Sequence, residues 1–316
     1  MSSTPVTAAS LAEALERLPV VRMIGRTPLL PIRLFEAELP GVEIHAKAEW
    51  INPGGSVKDR PVLRMLTEAL KSGELAPGRT ILDSSSGNAG IAYAMLGAAL
   101  GYPVELVVPG NASQERKQRI LAHGARLIFT DPVEGYDAAL REVHRRSAAS
   151  PGSYFFCDQY ANDNNWRAHY ESTAGEILDQ TGGRLTHFVC GVGTGGTLTG
   201  VGRRLKEHDR NIRIVCVQPD RFPSIEGLKP LGRPEDIVPP ILDESLIDEK
   251  ITIGAEDAYA MCTRLARSGL FLGQSSGAFL AGARELGRRE KRARIVTLFP
   301  DLGERYFSTR LWDQEA

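Results

Sequence analysis

The sequence predicts an α/β protein with two domains, each built around a parallel β-sheet. The chain has 316 residues, about twice the length of a typical domain of roughly 150 residues. Short β-branched runs alternate with longer segments of helical periodicity, which is the pattern of β/α units with parallel strands. An irregular stretch, residues 150–164, separates four such units from a second set. We therefore expect two sheets with a cleft between them.

The same periodicities predict the individual elements. Residues 219–250 carry six prolines and mixed charges, and they predict an ordered loop over the cleft. A first helix is expected over residues 11–18. Strands are expected over residues 43–47, 80–83, 104–108, 126–129, 186–190, 212–217, 251–253 and 294–298. Further helices are expected over residues 57–71, 88–100, 113–123, 135–148, 165–180, 197–207, 255–267 and 277–289.

Composition excludes several classes of protein. Lysine and arginine (38) nearly balance aspartate and glutamate (39), so no net field holds the chain on nucleic acid or on an anionic membrane. The apolar stretches are too short to span a bilayer, and the N-terminus lacks the apolar run of a signal peptide, which predicts a cytoplasmic protein. The cysteines have no C-x-x-C spacing and predict reduced core residues, and the histidines have no metal-site spacing. The four cysteines are Cys157, Cys190, Cys216 and Cys262.

A glycine-rich loop joins a predicted strand to a predicted helix at Gly191-Val-Gly193-Thr-Gly195-Gly196-Thr197. Free backbone N–H groups and the helix dipole at such a junction favour a bound phosphate. Two threonine hydroxyls suit a terminal phosphate monoester. The loop also matches G-x-G-x-x-G, with Asp220 after the next strand, so a dinucleotide-dependent dehydrogenase is the alternative.

A second loop, Gly273-Gln-Ser275-Ser-Gly277, matches the G-x-S-x-G turn of serine hydrolases. Those enzymes need a histidine after the serine, and the last histidine here is His208. A serine hydrolase is therefore disfavoured. Ser275 is expected either to offer its hydroxyl to a ligand or to cap a helix that begins near Gly277.

The third loop, Asn52-Pro-Gly-Gly-Ser-Val-Lys58-Asp-Arg60, places a lysine in the first turn of a predicted helix. The helix dipole and Arg60 both favour the neutral, nucleophilic form of its amine. Lys58 is therefore a candidate for Schiff-base formation. Together, an imine-forming lysine, a phosphate loop and a neutral hydroxyl are what a protein needs to hold pyridoxal phosphate.

These segments resemble the motifs of the cysteine synthase and cystathionine β-synthase family, in that family's order from about Arg26 to Arg310. Besides the three loops, the motifs are Ser85-Ser-Gly-Asn88 and Pro300-Asp-Leu-Gly-Glu-Arg-Tyr306. The resemblance implies a tryptophan-synthase-β-like fold (fold type II), with two three-layer domains and pyridoxal 5'-phosphate as cofactor. It places a smaller, mobile, carboxylate-binding domain at residues 45–160 and a cofactor domain at residues 1–44 plus 161–316.

The resemblance also implies roles for individual residues. Lys58 would form the Schiff base, Asn88 would contact the ring hydroxyl, and Ser275 the pyridine nitrogen. Helix capping is the other role open to the segment before Asn88. The cofactor phosphate would be held by Gly193, Thr194, Gly195, Gly196 and Thr197. The substrate carboxylate would be held by Ser85, Ser86, Asn88, Ala89 and Gln159.

The activity implied is β-replacement on O-acetylserine or O-phosphoserine with a sulfur donor, which yields L-cysteine. Condensation with homocysteine, as in cystathionine β-synthase, is a second alternative. The resemblance suggests a homodimer, with a serine acetyltransferase or a sulfur-carrier protein as further partner candidates. Arg221, Lys229 and Arg233 bring cations to the loop expected at the active-site mouth, and Lys229 is the predicted contact for a phosphate ester. Gln274 stands where the family usually has a small aliphatic residue.

Overall fold

A computed structural model describes residues 14, 15, 17–85, 87–110, 112–131, 134–233 and 236–313. The chain folds into two compact units. The first unit contains the described residues up to Ile24 together with Lys58–Asp158, and the second contains Gly25–Val57 and the described residues from Gln159 onward. This division differs from the predicted bounds of 45–160. Residues 45–57, of which 45–48 belong to a strand of the second unit's sheet, and residues 159–160 lie in the second unit, whereas the described residues up to Ile24 lie in the first.

The strands of the two units form two separate sheets. The first unit holds the order β5-β4-β3-β6, and all three of its strand pairs are parallel. The second holds β1-β2-β10-β7-β8-β9, in which β1 alone is antiparallel to its neighbour. The strands are β1 Leu29–Pro31, β2 Val42–Ala48, β3 Thr80–Ser84, β4 Val104–Pro109, β5 Arg126–Thr130, β6 Tyr154–Phe156, β7 His187–Gly191, β8 Arg213–Pro219, β9 Glu249–Ile253 and β10 Ala293–Phe299.

The eight helices predicted from residue 57 onward match the observed helices to within three residues, and the helix Pro19–Arg22 was not predicted. The predicted helix over 165–180 is a continuous run whose middle, His169–Thr173, is a π-helix. Short 3-10 helices lie at Glu49–Ile51, Glu244–Leu246, Gly303–Tyr306 and Arg310–Trp312. The α-helices are α1 Pro19–Arg22, α2 Asp59–Ser72, α3 Asn88–Leu100, α4 Gln114–Ala122, α5 Gly135–Ala149, α6 Asn164–Ala168, α7 Ala174–Thr181, α8 Gly196–His208, α9 Ala255–Arg267 and α10 Gln274–Arg289.

Alternating residues of the first unit's sheet pack against different helices. Ile81 and Leu106 belong to a core shared with α2, α3 and α4. Their neighbours Leu82 and Val107 pack instead against Ala139 of α5. Successive side chains of a strand point to opposite faces, so this sheet is the middle of three layers.

The second unit has one large apolar core in which β7 is buried along nearly its whole length. Strands covered on both faces read as continuous apolar runs, and this is why the sequence revealed β7, β8 and β10. Helices α8 and α10 pack against this sheet.

Three expectations about elements need correction. The stretch expected to be irregular contains β6, and β1 was not predicted, since each is only three residues long. Helix α10 begins at Gln274, three residues before the expected Gly277. Of the helix expected over 11–18, Ala14 and Leu15 are helical, and residues 11–13 and 16 lie outside the described residues. Among the described residues, no helix is long and apolar enough to cross a membrane.

Candidate active site

The glycine loop of the second unit has the strand–loop–helix geometry that the sequence predicted. It follows β7 and opens α8, whose N-cap Gly195 has a left-handed backbone with φ +89°. The first helical hydrogen bond runs from the Thr199 amide to the Gly195 carbonyl at 2.9 Å. The amides of Gly196, Thr197 and Leu198 therefore precede the hydrogen-bonded helix, and such amides attract an anion.

The donors of this loop fit the phosphate of pyridoxal phosphate. They are backbone amides and the hydroxyls of Thr194 and Thr197, and no acidic residue occurs between Gly191 and Leu205. The bare backbone is required by close packing: a Cβ on Gly196 would lie 2.0 Å from the Asn165 side-chain oxygen. A monoester dianion needs donors without nearby carboxylates, and this loop supplies them.

Two residues that sequence reasoning missed orient the threonine hydroxyls. The Asn165 side-chain amide donates to Thr194 Oγ1 at 3.1 Å and to the Gln159 carbonyl at 2.7 Å. His169 Nε2 lies 3.3 Å from Thr197 Oγ1, and its Nδ1 lies 3.0 Å from Thr173 Oγ1. Both side chains are buried. Their only signal in the sequence is their spacing of four residues, which places two polar groups on one face of a predicted helix.

The loop over residues 225–229 joins the glycine loop to the start of α10. The Lys229 amide donates to the Val192 carbonyl at 2.7 Å, and the Glu226 amide donates to the Gln274 side-chain oxygen at 3.1 Å. A Cβ on Gly227 would lie 3.9 Å from the Ser275 hydroxyl oxygen. The glycine loop and Ser275 are thus brought together, and Gln274 uses its side chain to hold the loop between them.

Ser275 does not cap α10. The N-cap residue is Gly273, and no side chain accepts a hydrogen bond there. Ser275 and Ser276 are both buried in the first turn, and the Ser276 hydroxyl has no hydrogen-bond partner among the described residues. The two hydroxyls are therefore available as neutral polar groups at this helix start.

Lys229 stands beside an aromatic ring. Its ammonium lies 5.3 Å from the centroid of the Tyr160 ring, within the range of a cation–π contact. Arg221 pairs with Asp236 at 2.8 Å, and the Arg233 amide donates to the same carboxylate. Of the three cationic side chains expected to face a phosphate ester, Arg221 is therefore engaged within its own loop.

The candidate residues of the first unit lie at two helix starts. Lys58 is the N-cap of α2, and its carbonyl accepts from the Val62 amide at 3.1 Å. Asn88 is the first residue of α3, and the Ser85 hydroxyl accepts from the Gly90 amide at 3.0 Å. The Ser85 hydroxyl thus accepts from an amide of the first turn, although the N-cap residue of this helix is Gly87, and Ala89 is buried. Ser86 lies outside the described residues.

A buried carboxylate supports the Ser85 loop. Asp83 accepts from the Ser84 amide at 2.7 Å and from the Tyr93 hydroxyl at 2.5 Å. Burial, and then the Asp83 charge, raise the pKa of the Tyr93 phenol well above its ordinary value, so the phenol keeps its proton and donates. Sequence reasoning did not identify either residue.

The motif Pro300–Tyr306 fastens two loops of the second unit. The Val57 amide donates to the Pro300 carbonyl at 2.9 Å, and Arg305 donates to the Gly54 carbonyl. The Gly273 amide donates to the Asp301 carbonyl at 3.1 Å. This motif thus positions the turn that leads to Lys58 and the start of α10, which carries Ser275.

The cysteines have no nucleophilic character. All four are buried and free of disulfides. Burial raises the pKa of Cys262 to about 12, and it raises the pKa of Cys190 well above the ordinary value. No group of three or more histidine, cysteine or acidic side chains within the described part of the chain could hold a metal ion.

Comparison with known proteins decides the family. Residues 20–301 match the family model described as "Pyridoxal-phosphate dependent enzyme". This chain belongs to the pyridoxal-phosphate dependent enzyme family. Its cofactor is accordingly pyridoxal 5'-phosphate, and the predicted family, fold class and cofactor are confirmed. Every candidate residue lies within the matched segment.

The chain is similar to a curated relative and to two solved structures. A curated relative from Aquifex aeolicus, "Cysteine synthase", is 48% identical over 95% of this chain and 93% of its own length. The structure of "O-ureido-L-serine synthase" is 36% identical with a TM-score of 0.87, and the match covers 94% of this chain and 95% of the other. "O-Acetyl Serine Sulfhydrylase isoform 3" from Entamoeba histolytica is 34% identical with a TM-score of 0.85, covering 94% of this chain and 92% of the other. The family match does not favour the dehydrogenase, and the names of the similar proteins do not favour the homocysteine-dependent alternative.

Proposed function

We propose that this chain is a cysteine synthase, which forms L-cysteine from an activated serine and a sulfur donor. The observation that carries the proposal is the acid-free loop of amide and hydroxyl donors at the start of α8, in a chain similar to enzymes named for this activity. The purified protein is expected to be yellow, because a lysine imine of pyridoxal phosphate absorbs visible light. An absorption spectrum without such a band would contradict the proposal.

The proposal gives each candidate residue a role toward the cofactor. Gly193, Thr194, Gly195, Gly196 and Thr197 hold its phosphate through amides and hydroxyls, and Asn165 and His169 orient the hydroxyls. Asn88 contacts the ring hydroxyl and Ser275 the pyridine nitrogen. Lys58 forms the covalent bond. When bound, the cofactor supplies an electron sink for negative charge at the α-carbon of the substrate.

The chain's own groups then carry out the remaining steps. Ser85, Ser86, Asn88, Ala89 and Gln159 bind the α-carboxylate, with Ala89 contributing only its backbone N–H. Once the substrate amine has displaced it, the Lys58 amine takes the α-proton, and the ester group leaves the β-carbon as acetate or phosphate. The sulfur of the donor then bonds to that carbon, and the Lys58 ammonium returns a proton to the α-carbon. Of the carboxylate-binding residues, Ser85, Asn88 and Ala89 belong to the unit with the four-stranded sheet, whereas Gln159 and the phosphate-binding residues belong to the unit with the six-stranded sheet.

A neutral hydroxyl at Ser275 suits β-replacement. A carboxylate beside the pyridine nitrogen keeps it protonated and strengthens the electron sink, whereas serine leaves it largely unprotonated. Ser275→Asp should therefore favour transamination and lower the rate of cysteine formation by about tenfold or more. The measurement is the ratio of keto acid to cysteine produced. Ser275→Ala, which adds no charge, should keep the wild-type ratio, and an unchanged ratio in Ser275→Asp would show that position 275 does not touch the nitrogen.

The leaving group of the substrate is a separate proposal. A phosphate ester carries about two negative charges near neutral pH and would gain from a nearby ammonium. We infer that O-phosphoserine is accepted at least as well as O-acetylserine, with Lys229 as its contact. Lys229→Ala should then lower kcat/KM about tenfold for the phosphate ester and leave the acetyl ester unchanged. An equal loss of kcat/KM for both esters would contradict a phosphate-binding role for Lys229. Arg221→Ala serves as the matched control in the same loop, because Arg221 is paired with Asp236.

Assembly and location complete the proposal. We propose a cytoplasmic homodimer, on the basis of the family resemblance and the composition. A serine acetyltransferase or a sulfur-carrier protein is proposed as its partner. Neither nucleic acid nor a membrane is proposed as a partner. Sedimentation of the purified protein at several concentrations would test the dimer.

A further inference from the structure

A buried lysine lies at the end of β2, in the second unit. Lys47 has no exposed surface, and its ammonium donates to Thr27 Oγ1 at 2.7 Å and to a Glu176 carboxylate oxygen at 2.5 Å. It also donates to the Thr27 carbonyl. An ammonium taken out of water is retained only when its donors are satisfied, and here three acceptors surround it.

The network continues from Thr27 to the turn before Lys58. The Thr27 hydroxyl donates to Glu49 Oε1 at 2.8 Å. Asn52 Nδ2 donates to Glu49 Oε2 at 3.0 Å and to the Glu49 backbone carbonyl at 2.8 Å. The other end of the Asn52 amide accepts from the Gly25 amide at 2.8 Å. Thr27, Glu49 and Asn52 are all buried, so this is a continuous polar path through the interior of the unit.

The path ends on the loop that carries the proposed imine-forming residue. Asn52 opens the turn that Gly55 closes by donating to the Asn52 carbonyl at 2.6 Å. The turn is fastened again at Val57, which precedes Lys58 in the chain, through the bond to Pro300. Burying Lys47 and Glu49 gives little net stability, because apolar side chains of similar size fill such space as well or better. What the charges add is a fixed orientation of Asn52.

We propose that Glu49 and Lys47 are positioning residues for Lys58. Lys47 fixes the Thr27 hydroxyl, Thr27 fixes the Glu49 carboxylate, and Glu49 fixes the side chain of Asn52 and with it the turn. This inference rests on the proposed role of Lys58. Neither residue contacts the reacting atoms, so each acts on where the Lys58 amine is held.

Glu49→Gln is the primary test, since it keeps the size of the side chain and removes one acceptor. A glutamine that still accepts from Thr27 turns its own NH₂ group toward the Asn52 NH₂ group, and two donors then face each other. We expect kcat to fall about 10- to 100-fold, with KM for O-acetylserine within about twofold of wild type. The visible imine band should also re-form more slowly when apoprotein is mixed with pyridoxal phosphate.

The double variant Glu49→Gln with Asn52→Asp supplies the rescue. In it the introduced amide would donate to the introduced carboxylate, while Thr27 would still donate to the side chain at position 49 and Gly25 to the side chain at position 52. Asn52→Asp alone places two carboxylates together, and both variants lack the bond from position 52 to the Glu49 carbonyl. We therefore expect the double variant to exceed Asn52→Asp alone in kcat and in the rate of imine formation.

Thr27→Val tests the same path in a variant that keeps the carboxylate. It removes the hydroxyl between Lys47 and Glu49, and kcat should fall about threefold or more. Circular dichroism and the urea midpoint of unfolding are measured for every variant. If Glu49→Gln does not fold normally, the kcat of Thr27→Val tests the inference in its place. Wild-type kcat in a folded Glu49→Gln or Thr27→Val would overturn the inference. A folded double variant with a kcat no higher than that of Asn52→Asp alone would overturn it as well. Borohydride reduction of the wild-type protein, which fixes the cofactor on the lysine that carries it, separates this inference from the proposed function. If Lys58 is not labelled, the proposed function is wrong. If Lys58 is labelled and Glu49→Gln forms the imine at the wild-type rate, only this inference is wrong.

Discussion

Lys58→Ala is expected to lose both the visible imine band and cysteine formation. Alanine has no amine to form the covalent bond to the cofactor or to take the α-proton, so kcat/KM should fall by about 10³-fold or more. The residue is the N-cap of α2 and contributes its backbone carbonyl, not its side chain, to the helix. The variant should therefore fold normally. The measurements are the absorption spectrum and the rate of cysteine release.

Lys71→Ala is the matched control for this prediction. Lys71 lies near the end of the same helix, where it pairs with Glu68 at 2.8 Å on the surface. Exposed ion pairs of this kind contribute little, so spectrum and turnover should stay at wild-type values. A borohydride-reducible cofactor bond that persists in Lys58→Ala would show that another lysine forms the imine.

Gly195→Leu is expected to strip the cofactor from the protein. The backbone at position 195 has φ +89°, where a non-glycine residue costs about 1–2 kcal/mol. A Cβ there would lie 2.9 Å from the Cβ of Leu242, so the chain must also move. Because Gly195 is the N-cap of α8, any such movement displaces the amides proposed to hold the phosphate. Cofactor bound per chain, measured after alkaline release, should fall at least about tenfold.

Gly152→Leu provides the control for a bulky side chain at a glycine. A Cβ on Gly152 would meet nothing within 4 Å, so its cofactor content should match wild type. Thermal unfolding of both variants separates loss of phosphate binding from loss of fold. Normal cofactor content in Gly195→Leu would show that this loop is a tight turn that does not hold the cofactor phosphate.

Sequence patterns predicted the parts of this protein that depend on local chemistry. The strand β7 and the helix α3 are both buried along most of their length and are visible in the sequence as continuous apolar runs, and both were predicted to within a residue or two. The glycine loop was predicted as strand, turn and helix start because a plain tight turn does not require so many adjacent glycines. The glycine loop, together with Lys58 and Ser275, was therefore enough to predict pyridoxal phosphate as the cofactor.

The missed features depend on residues far apart in the chain. His169 meets Thr197 only because α8 packs beside the π-helix, and Lys47 meets Glu176 only when β2 and α7 are in place. The edge strand β1 is too short to show a period. The start of α10 was placed too late because its N-cap is a glycine, without the serine, threonine or aspartate that usually marks a helix start.

Release of cysteine from O-acetylserine and sulfide by the yellow holoenzyme is the most direct test of the proposed function. The reaction is followed as free cysteine and acetate, with Lys58→Ala protein as the blank. We predict cysteine and acetate in equal amounts, over many turnovers for each bound cofactor. Cysteine formation no faster than in the blank, with O-phosphoserine equally inactive, would contradict the assignment as a cysteine synthase.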